Sequence, residues 1–146
     1  MENNEGHHIM ENLLAAFNQD TESILALFTP QATVEYPYAK SLALPHKLTM
    51  YDYRNHLNSI LQKMPEIIFT DLKVHALKEE SWYWGEFHAE TTVPQTGAVY
   101  KQEYVVNFKL DHEKFSIYRE FWNILPVLQR LMDKEEAFNI IDNPIR

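Results

Sequence analysis

The sequence predicts an α+β domain in which helices pack on one face of a curved, mostly antiparallel sheet and enclose a pocket. Two observations carry that expectation. Up to Met64 the apolar residues recur at helical spacing, interrupted by one short strand; after Pro65 they alternate with a period of two. Length and composition agree: 146 residues suit one domain, and 45% apolar with 13% aromatic residues suffices for a core.

Ile9, Met10, Leu13, Leu14 and Phe17 fall on one helical face, predicting a helix over 9–18. Asp20 suits the N-cap of a second helix carrying Ile24, Leu25, Leu27 and Phe28 and stopping at Thr29-Pro30. A strand over 32–36 ends at Pro37, and 38–48 reads as a loop. Thr49-x-x-Asp52 resembles a capping box and opens a helix that ends before Pro65. Its apolar stripe is Tyr53, Leu57, Ile60, Leu61 and Met64, with His56 on the flank of that stripe. Strands follow at 67–77, 81–93 (Gly85 marking a possible bulge), 99–110 and 115–122. Asp111-His112-Glu113-Lys114 is the hairpin turn between the last two. A short helix over 125–134 closes the chain. Residues 1–146 form a single domain, with 1–8 expected to be flexible and 124–146 forming the C-terminal helix and tail.

Composition excludes several chemistries. Thirteen Lys and Arg against 21 Asp and Glu give a net charge of −8 with no basic cluster, which argues against nucleic acid as a partner. No apolar run approaches the ~20 residues that span a bilayer, and the polar N-terminus does not read as a secretory signal, so no membrane partner and a cytoplasmic location are expected. The absence of cysteine removes disulfides, thiolate catalysis and thiolate metal ligation. With three glycines there is no Gly-rich phosphate loop. No G-x-S-x-G surrounds any serine. The expectation is no metal and no organic cofactor.

The residue that best suits chemistry is Glu120. Alternation places it on one face of the last strand with Tyr118 and Trp122, and Phe115, Ile117 and Phe121 on the other. A carboxylate between aromatics loses solvent, which raises its pKa toward the range of acid–base work. The plainer alternative is an ion pair with Arg119 or a cross-strand lysine. His56 can reach a cavity beneath its helix, or simply hydrogen-bond at the helix surface. His75, Glu86, His88 and Glu90 could gather on one sheet face as metal ligands, though a solvated face is the commoner arrangement. The candidate ligand-binding residues are Tyr36, Tyr38, Tyr53, Trp84, His88, Tyr104, Tyr118 and Trp122, whose ring faces, hydroxyls and ring N–H groups suit a pocket wall.

The segment Tyr118-Arg119-Glu120-Phe121-Trp122-Asn123 resembles the terminal-strand signature of the SnoaL-like proteins, a group within the nuclear-transport-factor-2-like superfamily, and the phenazine-biosynthesis A/B proteins most closely. Glu35-Tyr36-Pro37-Tyr38-Ala39 is similar to the segment after their first strand. His56 precedes Pro65 by nine residues, as their helix histidine precedes its proline, and 108–120 aligns without a gap. Trp82 and His88 also fall at family-like positions. The resemblance covers about residues 10–130. It departs at Ile60, where those proteins carry serine, and at Leu48-Thr49, where they carry glycine. It implies a cone-shaped, cystatin-like fold and a homodimer formed through the sheet. It also implies a pocket where Glu120 and His56 form an acid–base pair, which in the phenazine relatives assists condensation of two amino-ketone precursors.

Two functions are compatible with this reading: a cofactor-independent isomerase, cyclase, condensing enzyme or hydrolase acting on a small cyclic or aromatic molecule, or a non-catalytic ligand-binding or dimerisation module on the same scaffold. They divide on whether Glu120 and His56 face one cavity with the carboxylate free of a cationic partner.

Overall fold

A computed structural model describes residues 5–143. The chain begins with helix α1 (Glu5–Ala16) and the single turn α2 (Thr21–Leu25), whose N-cap Asp20 accepts from Ser23 N–H at 2.7 Å. Of the segment 1–8, residues 5–8 form the first turn of α1, and residues 1–4 lie outside the described residues. Strand β1 (Phe28–Glu35) starts earlier than the sequence suggests. Phe28 already pairs with Phe115, and the β1 register shifts between Phe28 and Thr33, where Pro30 contributes no N–H to the ladder.

A 3₁₀ turn (Pro37–Leu42) and the two-residue strand β2 (Lys47–Leu48) occupy the expected loop. Helix α3 (Met50–Lys63) has the capping box its sequence announces: the Thr49 hydroxyl accepts from Asp52 N–H at 3.2 Å and Asp52 Oδ2 accepts from Thr49 N–H at 3.3 Å. Strands β3 (Ile68–Ala76), β4 (Trp82–Thr92), β5 (Val99–Asp111) and β6 (Lys114–Trp122) then form an antiparallel meander. His112 and Glu113 take positive φ in the β5–β6 turn. The chain ends in α4 (Ile124–Pro126), a π-helical turn (Val127–Leu131) and α5 (Lys134–Asp142). The single helix expected at 125–134 is therefore broken at Met132, and Asp133 caps a further helix by accepting from Glu136 N–H at 2.8 Å.

The six-stranded sheet has the order β2-β1-β6-β5-β4-β3, with β1 and β6 parallel and all other pairs antiparallel. The last long strand is thus central, held on both edges. Helices α1 to α3 cover one face, where Met10, Leu13, Ile24, Val34, Leu57 and Phe108 are fully buried. Asn18 ties the end of α1 to the start of β3, donating to Ile67 C=O at 2.7 Å and accepting from Ile67 N–H at 2.8 Å.

Two irregularities set which side chains face inward. The β5–β6 register shifts so that Leu110 pairs with Phe115 and Lys109 with Ile117, leaving Ser116 as the extra residue. Phe115 is thereby turned to the inner face, against the Tyr118 ring at 5.2 Å, correcting its expected place beside Ile117 and Phe121. The other shift lies in β3 between Thr70 and Lys73, where Asp71 has φ 59°, and not at Gly85. Gly85 pairs in unbroken register. It lets strands approach: a Cβ there would stand 3.1 Å from Val106 Cγ2 and 3.3 Å from Lys73 C=O.

Gly6 has a comparable constraint. A Cβ on it would lie 2.3 Å from Tyr83 Cδ1, and that ring is stacked on Phe108 at 5.2 Å between centroids. Gly6→Ala should therefore lower the unfolding free energy by about 1–3 kcal/mol, despite alanine's better helix propensity. Urea unfolding of the two proteins measures it, and an unchanged midpoint would show that α1 can lift away from β4.

Candidate functional site

A cavity of about 600 Å³ opens between α3, the 3₁₀ turn, the inner faces of β5 and β6, and the C-terminal helical segment. Its walls are mainly apolar and aromatic, among them Ile60, Met64, Trp122, Val127 and Leu131. Polar groups enter from two sides: Lys47, Asp52, Asn55 and His56 from β2 and α3, and Glu120 from β6. A small apolar annex, lined in part by Phe17, Phe69, Phe87 and Thr91, continues behind Glu120 and His56.

Glu120 faces inward because β6 alternates strictly after the Ser116 bulge, and Val106 lies opposite it on β5. Its neighbour Arg119 points to the other face, where Nε donates to Glu35 Oε2 at 2.9 Å. The alternative of a Glu120–Arg119 pair is thus removed by the pleat. Among the described residues no lysine, arginine or histidine forms an ion pair with Glu120. Among the described residues its hydrogen bond comes from Tyr118, whose hydroxyl donates to Oε1 at 3.2 Å. Burial pushes the carboxyl pKa up to about 7, and the Tyr118 donation offsets only part of that rise.

Burial, and then the negative charge at Glu120, hold the Tyr53 hydroxyl well above its usual range; Tyr36, Tyr104 and Tyr118 are raised by the same two causes and by neighbouring tyrosines. Tyr100 is pushed by burial to about 12, with a hydrogen bond from Gln102 opposing the rise. All five therefore remain hydroxyl donors at neutral pH. His56 is lowered by burial and then by Lys63, so its imidazole is neutral at pH 7. Its ring lies 5.5 Å from that of Tyr36.

The structure brings Glu120, His56, Tyr36, Tyr104 and Trp122 to one cavity. Tyr118 stands behind the carboxylate as its hydrogen-bond donor, and Tyr53 is a core residue packed on Phe28 at 5.4 Å. Three of the sequence-selected ligand residues lie elsewhere. Trp84 and His88 share the outer parity of β4, because Tyr83, Gly85, Phe87 and Ala89 fill the inner one. Trp84 is 40% exposed, and His88 Nδ1 sits 3.3 Å from Asp71 Oδ2. Tyr38, on the 3₁₀ turn, is 48% exposed and packs against Phe121 of the outer face. The acidic residues considered as metal ligands take cations on that same face, Lys73 with Glu86 at 3.7 Å and Lys101 with Glu90 at 3.8 Å. Residues the sequence reading did not select include Tyr100, which shares the parity of Tyr104, and Asp52 and Asn55, one turn of α3 or less before His56.

No family model matches the chain. Among curated proteins it is 26% identical over 136 residues to an uncharacterised PhzA/B-like protein of Pseudomonas aeruginosa, covering 91% of this chain and 94% of that one. Among solved structures it superposes on a proposed isomerase from Bacillus subtilis with a TM-score of 0.80 at 21% identity, covering 87% of this chain and 92% of that one. It superposes on a phenazine biosynthesis-related protein from Pseudomonas aeruginosa with a TM-score of 0.67 at 18% identity, covering 88% and 89%. The fold is the nuclear-transport-factor-2-like fold, and the resemblance to PhzA/B-like proteins extends over nearly the whole chain.

The raised carboxyl has a consequence for stability. Between roughly pH 5 and 7 the native chain retains a proton on Glu120 that the unfolded chain has released, so stability falls as pH rises through that window. Glu120→Gln should match the wild type below about pH 5 and exceed it above pH 7 by about 1–3 kcal/mol, in urea unfolding at each pH. A difference independent of pH would mean that the carboxylate is solvated in the native state.

Proposed function

We propose that this chain is a cofactor-independent acid–base enzyme acting on a small cyclic or aromatic metabolite, of the isomerase, cyclase, condensing or hydrolase type, and related in chemistry to phenazine biosynthesis. The observation that carries the reading is a carboxylate without an ionic partner among the described residues, facing a mainly apolar cavity among tyrosine hydroxyls, with its pKa raised to about 7. Such a group divides between acid and base forms at neutral pH, which suits general acid–base catalysis. Glu120 moves the proton; neutral His56, entering from α3, gives or receives a hydrogen bond at a second atom of the ligand; and the tyrosine hydroxyls donate to an oxygen on which charge develops. A cavity of about 600 Å³ accommodates a molecule of one to a few rings.

The test is a screen of cyclic ketones and amino-ketones for proton–deuterium exchange beside the carbonyl, followed by NMR. On any compound the wild type turns over, Glu120→Gln should lower kcat by about 10²–10⁴-fold and abolish the pH dependence centred near 7, with a smaller loss for His56→Asn. A Gln variant with full turnover would leave Glu120 a structural role. Ligand binding without exchange across the screen would support a non-catalytic binding module instead.

The outer sheet face supports a second proposal, that two copies pair through it. Tyr38 and Trp84 both pack on Phe121 there, and Val105 and Ile117 are only half-buried beside them. Contiguous aromatic surface of this kind marks protein–protein contacts. Equilibrium sedimentation should return twice the chain mass, and Trp84→Glu should return the single chain with the cavity's ligand binding retained. A monomeric wild type at micromolar concentration would reject the pairing.

A further inference from the structure

Gln102 is buried on the inner face of β5 and makes an unusually complete set of hydrogen bonds. Its Oε1 accepts from Asn123 N–H at 2.7 Å and from Glu103 N–H at 3.0 Å. Its Nε2 donates to Asn123 C=O at 2.9 Å and to the Tyr100 hydroxyl oxygen at 2.7 Å. The backbone fixes which end of the amide is which, because two N–H donors can only meet the oxygen and a C=O can only meet the NH₂. Tyr100 is therefore the acceptor in its bond with Gln102, and its own proton is directed elsewhere. Among the described residues, its hydrogen-bonding neighbour besides Gln102 is the Tyr104 hydroxyl, on the same face of β5. With one oxygen of the pair already filled from Gln102, the two tyrosines hold two protons but use only one between themselves. The other is left for the cavity that both line.

We propose that Gln102 is a positioning residue: it orients the Tyr100–Tyr104 pair so that one hydroxyl proton points at the ligand, and it ties that orientation to the seating of the C-terminal segment. The second half follows from Asn123. Gln102 holds both of its backbone groups, while the Asn123 side chain accepts from Leu125 N–H at 3.1 Å and starts α4. Val127 and Leu131, which follow directly, form part of the cavity wall. A change in how this wall sits is transmitted to the Tyr100 hydroxyl through a single amide. The ligand class this favours carries a carbonyl, enol or phenol oxygen between the tyrosine pair and Glu120. The inference rests on the acid–base reading of the cavity.

The experiment uses 4-nitrophenol, an aromatic probe whose phenolate form is read by its visible absorption, titrated into full-length wild type and variants. In the wild type the bound probe should ionise more readily than in Gln102→Met or Tyr100→Phe, each of which should weaken phenolate binding about tenfold. Because Gln102 acts through Tyr100, Gln102→Met in the Tyr100→Phe background should have no further effect on the probe's ionisation, although it still lowers stability. Additive effects of the two substitutions on ionisation would overturn the proposal and leave Gln102 a structural clamp. Should Gln102→Met fail to fold, Gln102→Glu replaces it. Its carboxylate again accepts from Asn123 N–H but, once ionised, draws the Tyr100 proton toward itself, and the same loss of probe ionisation is expected. No change with Gln102→Glu would overturn the proposal. Glu120→Gln separates the two readings: if it alters the probe's ionisation while the Gln102 and Tyr100 variants do not, the acid–base reading stands and this inference falls. If the wild type does not bind the probe, or Glu120→Gln leaves it unaffected, both fall.

Discussion

The cost of holding a half-buried carboxylate in a mainly apolar cavity organises this molecule. A charged group placed in an apolar cavity without a partner is penalised by several kcal/mol and responds by keeping its proton. Glu120 tolerates that position because the strand bearing it is anchored on both edges, to β1 in parallel and to β5 in antiparallel register. An edge strand would relax, rotating the side chain out to solvent or toward a cation. A central strand has no such freedom, so the energetic strain appears as a raised pKa near 7 and not as a rearranged backbone.

The pleat then divides two chemistries between the faces of β6. Tyr118, Glu120 and Trp122 face the cavity or its wall, while Arg119 and Phe121 face out, where Arg119 pairs with Glu35 and lies 5.3 Å from the Phe121 ring. One register slip would exchange these sets, placing Arg119 in the cavity and Glu120 among outward aromatics. The Ser116 bulge prevents a different error. Without the extra residue, Phe115 would share the outward face of Ile117, and the inner core would lose a ring that contacts Phe28, Phe108 and Tyr118.

The elements of the fold were legible in the sequence where local chemistry and tertiary packing agree. Thr49 and Asp52 announce α3, Pro65 ends it, and the alternation of Tyr100, Tyr104, Val106 and Phe108 marks β5. That Glu120 and His56 line one cavity was legible for the same reason: one lies on a strand whose parity is plain, the other beside a helical stripe. Trp84 and His88 were misplaced because both parities of β4 carry large side chains, so alternation reveals two faces without saying which is inner. A glycine in a strand signals either irregularity or close approach, and at Gly85 only the neighbouring Val106 and Lys73 decide between them. Helix α5 was missed although Asp133 and Glu136 carry an N-terminal capping signal, because the preceding apolar run reads as one continuous helix across Met132. No sequence signal marks Gln102; its hydrogen bonds to Asn123 exist only once that residue, twenty-one positions later, is brought beside it.

The two titratable groups of the cavity are moved by the same force in opposite directions on the pH scale. Burial disfavours charge, so it raises the carboxyl of Glu120 and lowers the imidazole of His56. In water a carboxylic acid gives up its proton to an imidazole with a clear preference; here the gap is closed or reversed, and the neutral acid with the neutral base becomes a competitive state near pH 7. With this pair neutral, the cavity suits the uncharged, largely apolar ligand proposed for it. In the proposed reaction, charge arises only as a proton moves, where the tyrosine hydroxyls already stand as donors. In that reaction they would donate to an oxygen on which negative charge develops, while burial and the charge at Glu120 oppose their own ionisation.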